Sequence, residues 1–218
     1  MEPELRNLYA GAGALHVLCV SGLHVGIIFL IVSFLLKSLQ KNKTARLIKF
    51  ITLLLSIWAY AFITGLSPSV LRASVMFSLF SWRELRKEKA NSYNVLAASA
   101  FLLLAFDPFL ITKVGFQLSY SAVLGIIALN EPLSKIFVFR NPVAEYIWKL
   151  IVVSLAAQIG TFPLAIYYFN QFPLYFLLAN IIVIPLVWLI VYTGIITLVT
   201  AAVLEVFAPL MTKLLYYQ

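Results

Sequence analysis

Long apolar runs separated by short charged or proline-bearing turns set the pattern of this chain. Read at about 20 residues per crossing, they predict membrane elements near 9–36, 47–65, 69–83, 93–106, 114–130, 147–169 and 174–207. The first run, Tyr9 to Leu36, holds 28 residues without an Asp, Glu, Lys or Arg. As a straight helix it would measure about 42 Å against a hydrocarbon core of about 30 Å, so we expect it to tilt or break. Gly11, Gly13 and the Ser21–Gly22 pair mark the weak places. The last run, 34 residues long, is expected to be two elements broken at Pro185. Pro163 also falls inside an apolar run and is expected to kink or break its helix. Pro68, Pro108, Pro142 and Pro173 fall in turns, where the missing N–H is harmless.

Composition settles the solvent. Hydrophobic residues make up 63% of the chain and charged residues 11%, with a mean hydropathy of +1.00. A soluble domain does not carry that much apolar surface. The predicted fold class is therefore an all-α polytopic membrane protein with seven to eight transmembrane or broken membrane helices, one domain over residues 1–218. The first run is too long for a signal-peptide core and has no basic segment before it, so it reads as a span. The missing leader and the uncapped, apolar C-terminal residues lead us to expect a piece of a longer protein. A single cysteine, Cys19, forbids an intramolecular disulfide.

The net charge of +8 matters through its placement. Residues 37–49, 83–89 and 131–149 hold twelve of the sixteen basic residues, whereas the opposite side holds only Arg6 and Lys113. The positive-inside rule then places the three basic loops in the cytoplasm and the N-terminus outside.

Four polar clusters interrupt the apolar runs. His16, Ser21 and His24 lie within HVLCVSGLHVG, with Ser21 and His24 on one helix face. Their imidazoles either brace neighbouring helices or line a path for substrate. Arg72, in GLSPSVLRAS, is the one cation placed within a span, so it must face protein, water or an anion. Arg83 and Arg86 follow on the same side of a continuing helix and make a basic stripe. Gln117, Ser121 and Gly125 recur every four residues, which suits close helix approach at least as well as a pore lining. Ser154, Gln158, Thr161 and Asn180 precede Pro163 and Pro185 and are placed to satisfy carbonyls those prolines free.

Absences narrow the function. No Asp or Glu lies well inside a span, which disfavours a proton- or sodium-driven carrier. Two histidines and one cysteine with no carboxylate nearby are a poor metal site, so no metal and no cofactor is expected. Two readings stay beside a channel. One is an intramembrane serine hydrolase, with Ser67 of GLSPS as nucleophile and His24 as base. The other is a small-solute transporter built on broken helices.

The ordered motifs HVLCVSGLHVG, GLSPSVLRASVMF, DPFLITKVGFQLSYSAVLG and FPLAIYYFNQFPLYFLLANIIVIPL resemble the competence domain of the ComEC family of DNA-internalisation proteins. The resemblance runs from about Ala10 to Thr197. The matching positions are His16, Ser21, Gly22, His24, Pro68, Arg72, Ala73, Gly115 to Ser119, Asn180 and Pro185. It implies a non-enzymatic inner-membrane channel that passes single-stranded DNA into the cytoplasm during natural transformation. Its implied partners are single-stranded DNA, membrane lipids, other competence proteins and further domains of the same polypeptide. Family members often add an OB-like domain and a metallo-β-lactamase-like domain; this sequence has no β-rich region and no His/Asp metal cluster, so neither is expected in it. On this reading His16, Ser21, His24, Arg72, Gln117, Ser121 and Asn180 are candidates for the DNA path. Gly22, Pro68, Pro163 and Pro185 are candidates for structural breaks.

Overall fold

The computed structural model of the chain describes residues 22–40, 42–87, 91–170 and 176–216. These form seven α-helices: α1 (Gly22–Leu35), α2 (Lys43–Ile63), α3 (Pro68–Arg86), α4 (Ser92–Phe106), α5 (Val114–Ser134), α6 (Pro142–Phe169) and α7 (Phe176–Tyr216). Short 3₁₀ turns, Lys37–Gln40 and Pro108–Thr112, precede α2 and α5. No strand occurs among the described residues. Among the described residues three segments are long and apolar enough to cross a membrane by length and composition: Lys43–Ile63, Pro142–Phe169 and Phe176–Gly194. Gly22–Leu35 and Ser92–Phe106 are shorter apolar helices.

The helix ends follow from local chemistry. Pro68 and Pro142 stand in the first turns of α3 and α6, where an N–H would have no intrahelical partner anyway. Asn91, Asp107 and Asn141 each accept a bond from the backbone N–H two residues on. The turn between α2 and α3 is a Schellman closure: Gly65 N–H donates to Phe62 O and Leu66 N–H to Ala61 O at 2.8 Å. Gly65 takes φ +72 without strain, while Leu66 accepts φ +52 because those bonds hold it. Helices α3 and α6 end on left-handed residues, Lys87 and Asn170.

Pro185 does not break the last run: α7 is continuous from Phe176 to Tyr216. Pro163 likewise lies inside an unbroken α6, and Pro132 inside α5. One missing N–H removes one rung, and the rungs on either side keep the helix going. At Pro163 the Thr161 hydroxyl also ties the preceding turn, donating to Ala157 O and Gln158 O. Pro68 opens α3 and so stands at a helix start, while Gly22 is the first described residue of α1. The expected irregularity at Gly11, Gly13 and Ser21 lies outside the described residues.

The chain divides into two compact units, Met1–Ile181 and Ile182–Gln218. In the first, Val25 and Phe29 of α1 meet Leu53, Ile57 and Ala61 of α2 and Val70 and Ala73 of α3 in a buried core. Gly26 of α1 lets the Phe77 ring approach, and Phe77 stacks on Phe29 with centroids 4.9 Å apart. Helices α5 and α6 pack hardest. At their crossing Gly125 lies against the Ala156 carbonyl and the Gly160 backbone, and Gly160 against the Ser121 carbonyl. Small residues four apart on both helices bring the backbones together, the usual solution where lipid supplies no hydrophobic drive. Large apolar side chains point outward, among them Phe34, Leu55, Ile63, Phe101 and Phe106. In the second unit Trp188 stacks on Tyr192, and Thr193 bonds back to carbonyls of its own helix.

Candidate functional site

Arg72 lies one turn inside α3 and is 9% exposed. Its Nε is enclosed and has no hydrogen-bond partner among the described residues. A buried guanidinium N–H without an acceptor is costly, so such a group calls for an explanation. The surroundings offer one. Arg72 lines a cavity of about 430 Å³ between α1, α3, α4 and α5. Gly22, Ser69, Met76, Phe77, Phe80 and Ser119 share that wall with it.

Each element places its part for a local reason. Pro68 starts α3, so Ser69, Arg72, Met76 and Phe80 fall on one side of the helix at three- and four-residue spacing. Gly22 brings α1 in: a Cβ there would sit 3.2 Å from Ala73 Cβ. Gly115 leaves room for the guanidinium, since a Cβ at that position would lie 3.9 Å from Arg72 Nη2. Tyr120, within electrostatic reach of Arg72, shares a 3.1 Å hydrogen bond with the buried Ser99 hydroxyl. Its ring packs on Phe116, with centroids 4.4 Å apart. The cavity thus has one cation, three serines (Ser69, Ser92 and Ser119, from α3, α4 and α5), and otherwise mostly apolar walls.

The other sequence candidates distribute differently. His16 and Ser21 lie outside the described residues. His24 is half-buried on α1. Gln117 is held at both ends of its amide, donating to Ile111 O at 2.8 Å and accepting from the Tyr168 hydroxyl at 2.9 Å. Ser121 belongs to the α5–α6 contact. Asn180 donates to the Ser154 hydroxyl at 3.1 Å and ties α7 to α6. Of the described DNA-path and break candidates, Arg72 and Gly22 are the two in the cavity wall. Ser67 stands at the N-terminus of α3, its hydroxyl 3.4 Å from that of Ser69. The basic stripe has a different form from a free row of cations: Arg83 donates to Asn91 O and Arg86 lies over the Trp82 ring.

Sequence reasoning missed Met76, Phe80 and Tyr120 as neighbours of Arg72. The first two were accessible as i+4 and i+8 positions on a helix whose start Pro68 announces. Tyr120 was not, because it depends on how α5 crosses α3. Among the described residues no three His, Cys, Asp or Glu side chains gather in a metal-binding group.

Bulky apolar side chains turned outward along helices of spanning length, around a buried arginine, mark this chain as a polytopic helical membrane protein. The sequence model of the family described as "Competence protein" matches residues 1–217, and the chain belongs to that family. It is 32% identical over 185 residues to ComE operon protein 3 of Bacillus subtilis (strain 168), covering 85% of this chain and 23% of that one. An uncharacterized protein of Aquifex aeolicus (strain VF5) is 32% identical, over 92% of this chain and 44% of its own. The uncharacterized protein YcaI of Escherichia coli (strain K12) is 27% identical, over 84% and 25%. The chain therefore spans less than half the length of each of these relatives. No solved structure matches it.

Proposed function

We propose that this chain is the membrane-embedded conducting part of a DNA-uptake protein, passing single-stranded DNA across the inner cell membrane during natural transformation. Its role is transport, with no bond made or broken by these residues. The observation that carries the reading is the buried Arg72, its Nε without a partner among the described residues, in the wall of a cavity between four helices of a competence-family protein. Guanidinium forks suit phosphate oxygens, and a strand of DNA presents one phosphate per nucleotide. The apolar wall, with Phe77 and Phe80, suits bases, which single-strand binders hold by stacking. Gln117, Ser121 and Asn180 serve this path by bracing the helices around it, as their hydrogen bonds and packing support. His24, with His16 and Ser21, belongs to the same element as Gly22 and is assigned to the path or its bracing. The N-terminus faces outward and the basic loops face the cytoplasm, where they attract the emerging strand. Single-stranded DNA, membrane lipids and the rest of the competence machinery are the partners.

The test is DNA uptake by cells whose intact protein carries Arg72→Ala or Arg72→Lys, with membrane insertion verified. Loss of a charged hydrogen-bond partner predicts uptake reduced about tenfold or more for Arg72→Ala. Lysine keeps the charge without the fork and should restore part of it. Wild-type uptake by the alanine variant would remove Arg72 from the mechanism.

A further inference from the structure

At the other end of α2 and α3 from the GLSPS turn, the first turns of α2 and the last turns of α3 enclose a second recess, of about 320 Å³. Its wall includes Arg46, Lys49, Phe50, Ser81, Glu84 and Lys87, and it shares no residue with the Arg72 cavity. Three cations meet one carboxylate there. Lys49, 4% exposed, is paired with Glu84 at 2.6 Å, which leaves Arg46 and Lys87 as excess positive charge among the described residues of the recess. Arg46 Nη1 is enclosed and has no hydrogen-bond partner among the described residues. The N-terminus of α2 adds to the field: Asn42 makes no side-chain cap and the first turn carries no acidic residue. An enclosed donor without a partner and an excess of charge of one sign call for an anion with several acceptor oxygens.

We infer that this recess binds a phosphate ester, that of an anionic lipid headgroup. A guanidinium and an ammonium beside a helix N-terminus match phosphate oxygens. The flanks match the rest of a lipid. Leu47, Ile48 and Ile51 on α2 are exposed and apolar, a surface for acyl chains. Beside them Trp82, half-exposed, packs edge-on against Phe50 and carries Arg86 over its ring, the arrangement of an interfacial belt. The inference stands on these residues and not on the DNA reading.

The test uses the whole chain in zwitterionic detergent and reads its thermal unfolding midpoint. Phosphatidylglycerol, phosphatidylcholine, inorganic phosphate and an oligothymidylate are titrated separately. Phosphatidylglycerol is expected to raise the midpoint and phosphatidylcholine to leave it unchanged. Arg46→Gln should weaken the half-saturating phosphatidylglycerol concentration about tenfold, the loss of one charged hydrogen-bond partner. Lys87→Asn, a change that suits the left-handed position, should weaken it by less and guards against a fold defect in the first variant. Stabilisation by inorganic phosphate alone, lost in Arg46→Gln, would keep the phosphate site and assign it a soluble source. A lipid effect in both variants equal to that in the unsubstituted chain, or no effect of either phosphate, would overturn the site. Displacement of the lipid by oligothymidylate, dependent on Arg46, would overturn the lipid assignment in favour of the DNA path.

Discussion

Arg72 and Lys49 are the two buried cations among the described residues, and they are stabilised in different ways. Lys49 has a carboxylate, Glu84, at 2.6 Å. Removing that partner leaves an ammonium enclosed, whereas removing both charges does not. Glu84 is 40% exposed, so water screens part of the loss, and Glu84→Gln is expected to cost about 1–2 kcal/mol. Lys49→Met in the same chain should recover most of it, as read by unfolding in detergent. A double variant no more stable than Glu84→Gln would show that the lysine's charge is not what the carboxylate answers. Arg72 has no such partner, and its room is set by Gly115. A Cβ at 115 reaches ordinary contact distance from Nη2, so Gly115→Ala should be tolerated. Gly115→Leu should crowd the guanidinium and lower DNA uptake severalfold at unchanged insertion. Equal uptake by the two variants would free Arg72 from any requirement on its position.

Between elements, the α5–α6 seam is the contact with least slack. The methyl of Gly125→Ala would meet backbone atoms of α6, including Gly160 Cα at 2.9 Å, and backbone cannot rotate away as a side chain can. The helices must separate, at a cost of about 1–3 kcal/mol. Gly194→Ala is the control, since nothing among the described residues lies within 4 Å of a Cβ there. That variant should be neutral or gain up to about 1 kcal/mol from helix propensity. Equal unfolding midpoints for the two variants would remove the seam as a source of stability. The same seam bears on Pro163, which lies three residues past Gly160 in a helix clasped to its neighbour. A helix held along its length keeps its direction through one missing hydrogen bond, so proline inside an apolar run is weak grounds for a break.

For the whole molecule, charge asymmetry is the strongest organising feature. The turns at 64–67 and 107–113 hold one cation, Lys113, whereas the basic residues crowd the alternate turns. Cysteines placed one at a time at Thr112 and Arg140, with Cys19→Ser, test this orientation. A membrane-impermeant maleimide should label Thr112→Cys in intact cells and Arg140→Cys only after permeabilisation. The reverse pattern would invert the topology. At Arg140 the aromatic residues Phe137 and Phe139 pack edge-on against Trp148 at the start of α6, as expected where a helix leaves the hydrocarbon.

From the residues alone followed the helical class, six of the described helices to within a few residues at their starts, the turns at Pro68 and Pro142, and the isolation of Arg72. These are local properties: hydropathy, proline geometry and the cost of a charge belong to each segment whatever it packs against. The continuity of α7 through Pro185 did not follow, because one lost hydrogen bond is small beside the forty-one residues that share the helix. Nor did the sorting of the polar candidates. Ser121 and Gly125 were legible as a small face, but that it meets Ala156 and Gly160 is a matter of register between helices far apart in sequence. Gln117 and Asn180 read as pore lining or brace, with bracing favoured, and their bonds to Tyr168 and Ser154 are contacts that no sequence pattern gives. Tertiary structure alone decided which polar side chain keeps an unanswered donor beside a cavity, since partnership depends on every helix that surrounds it.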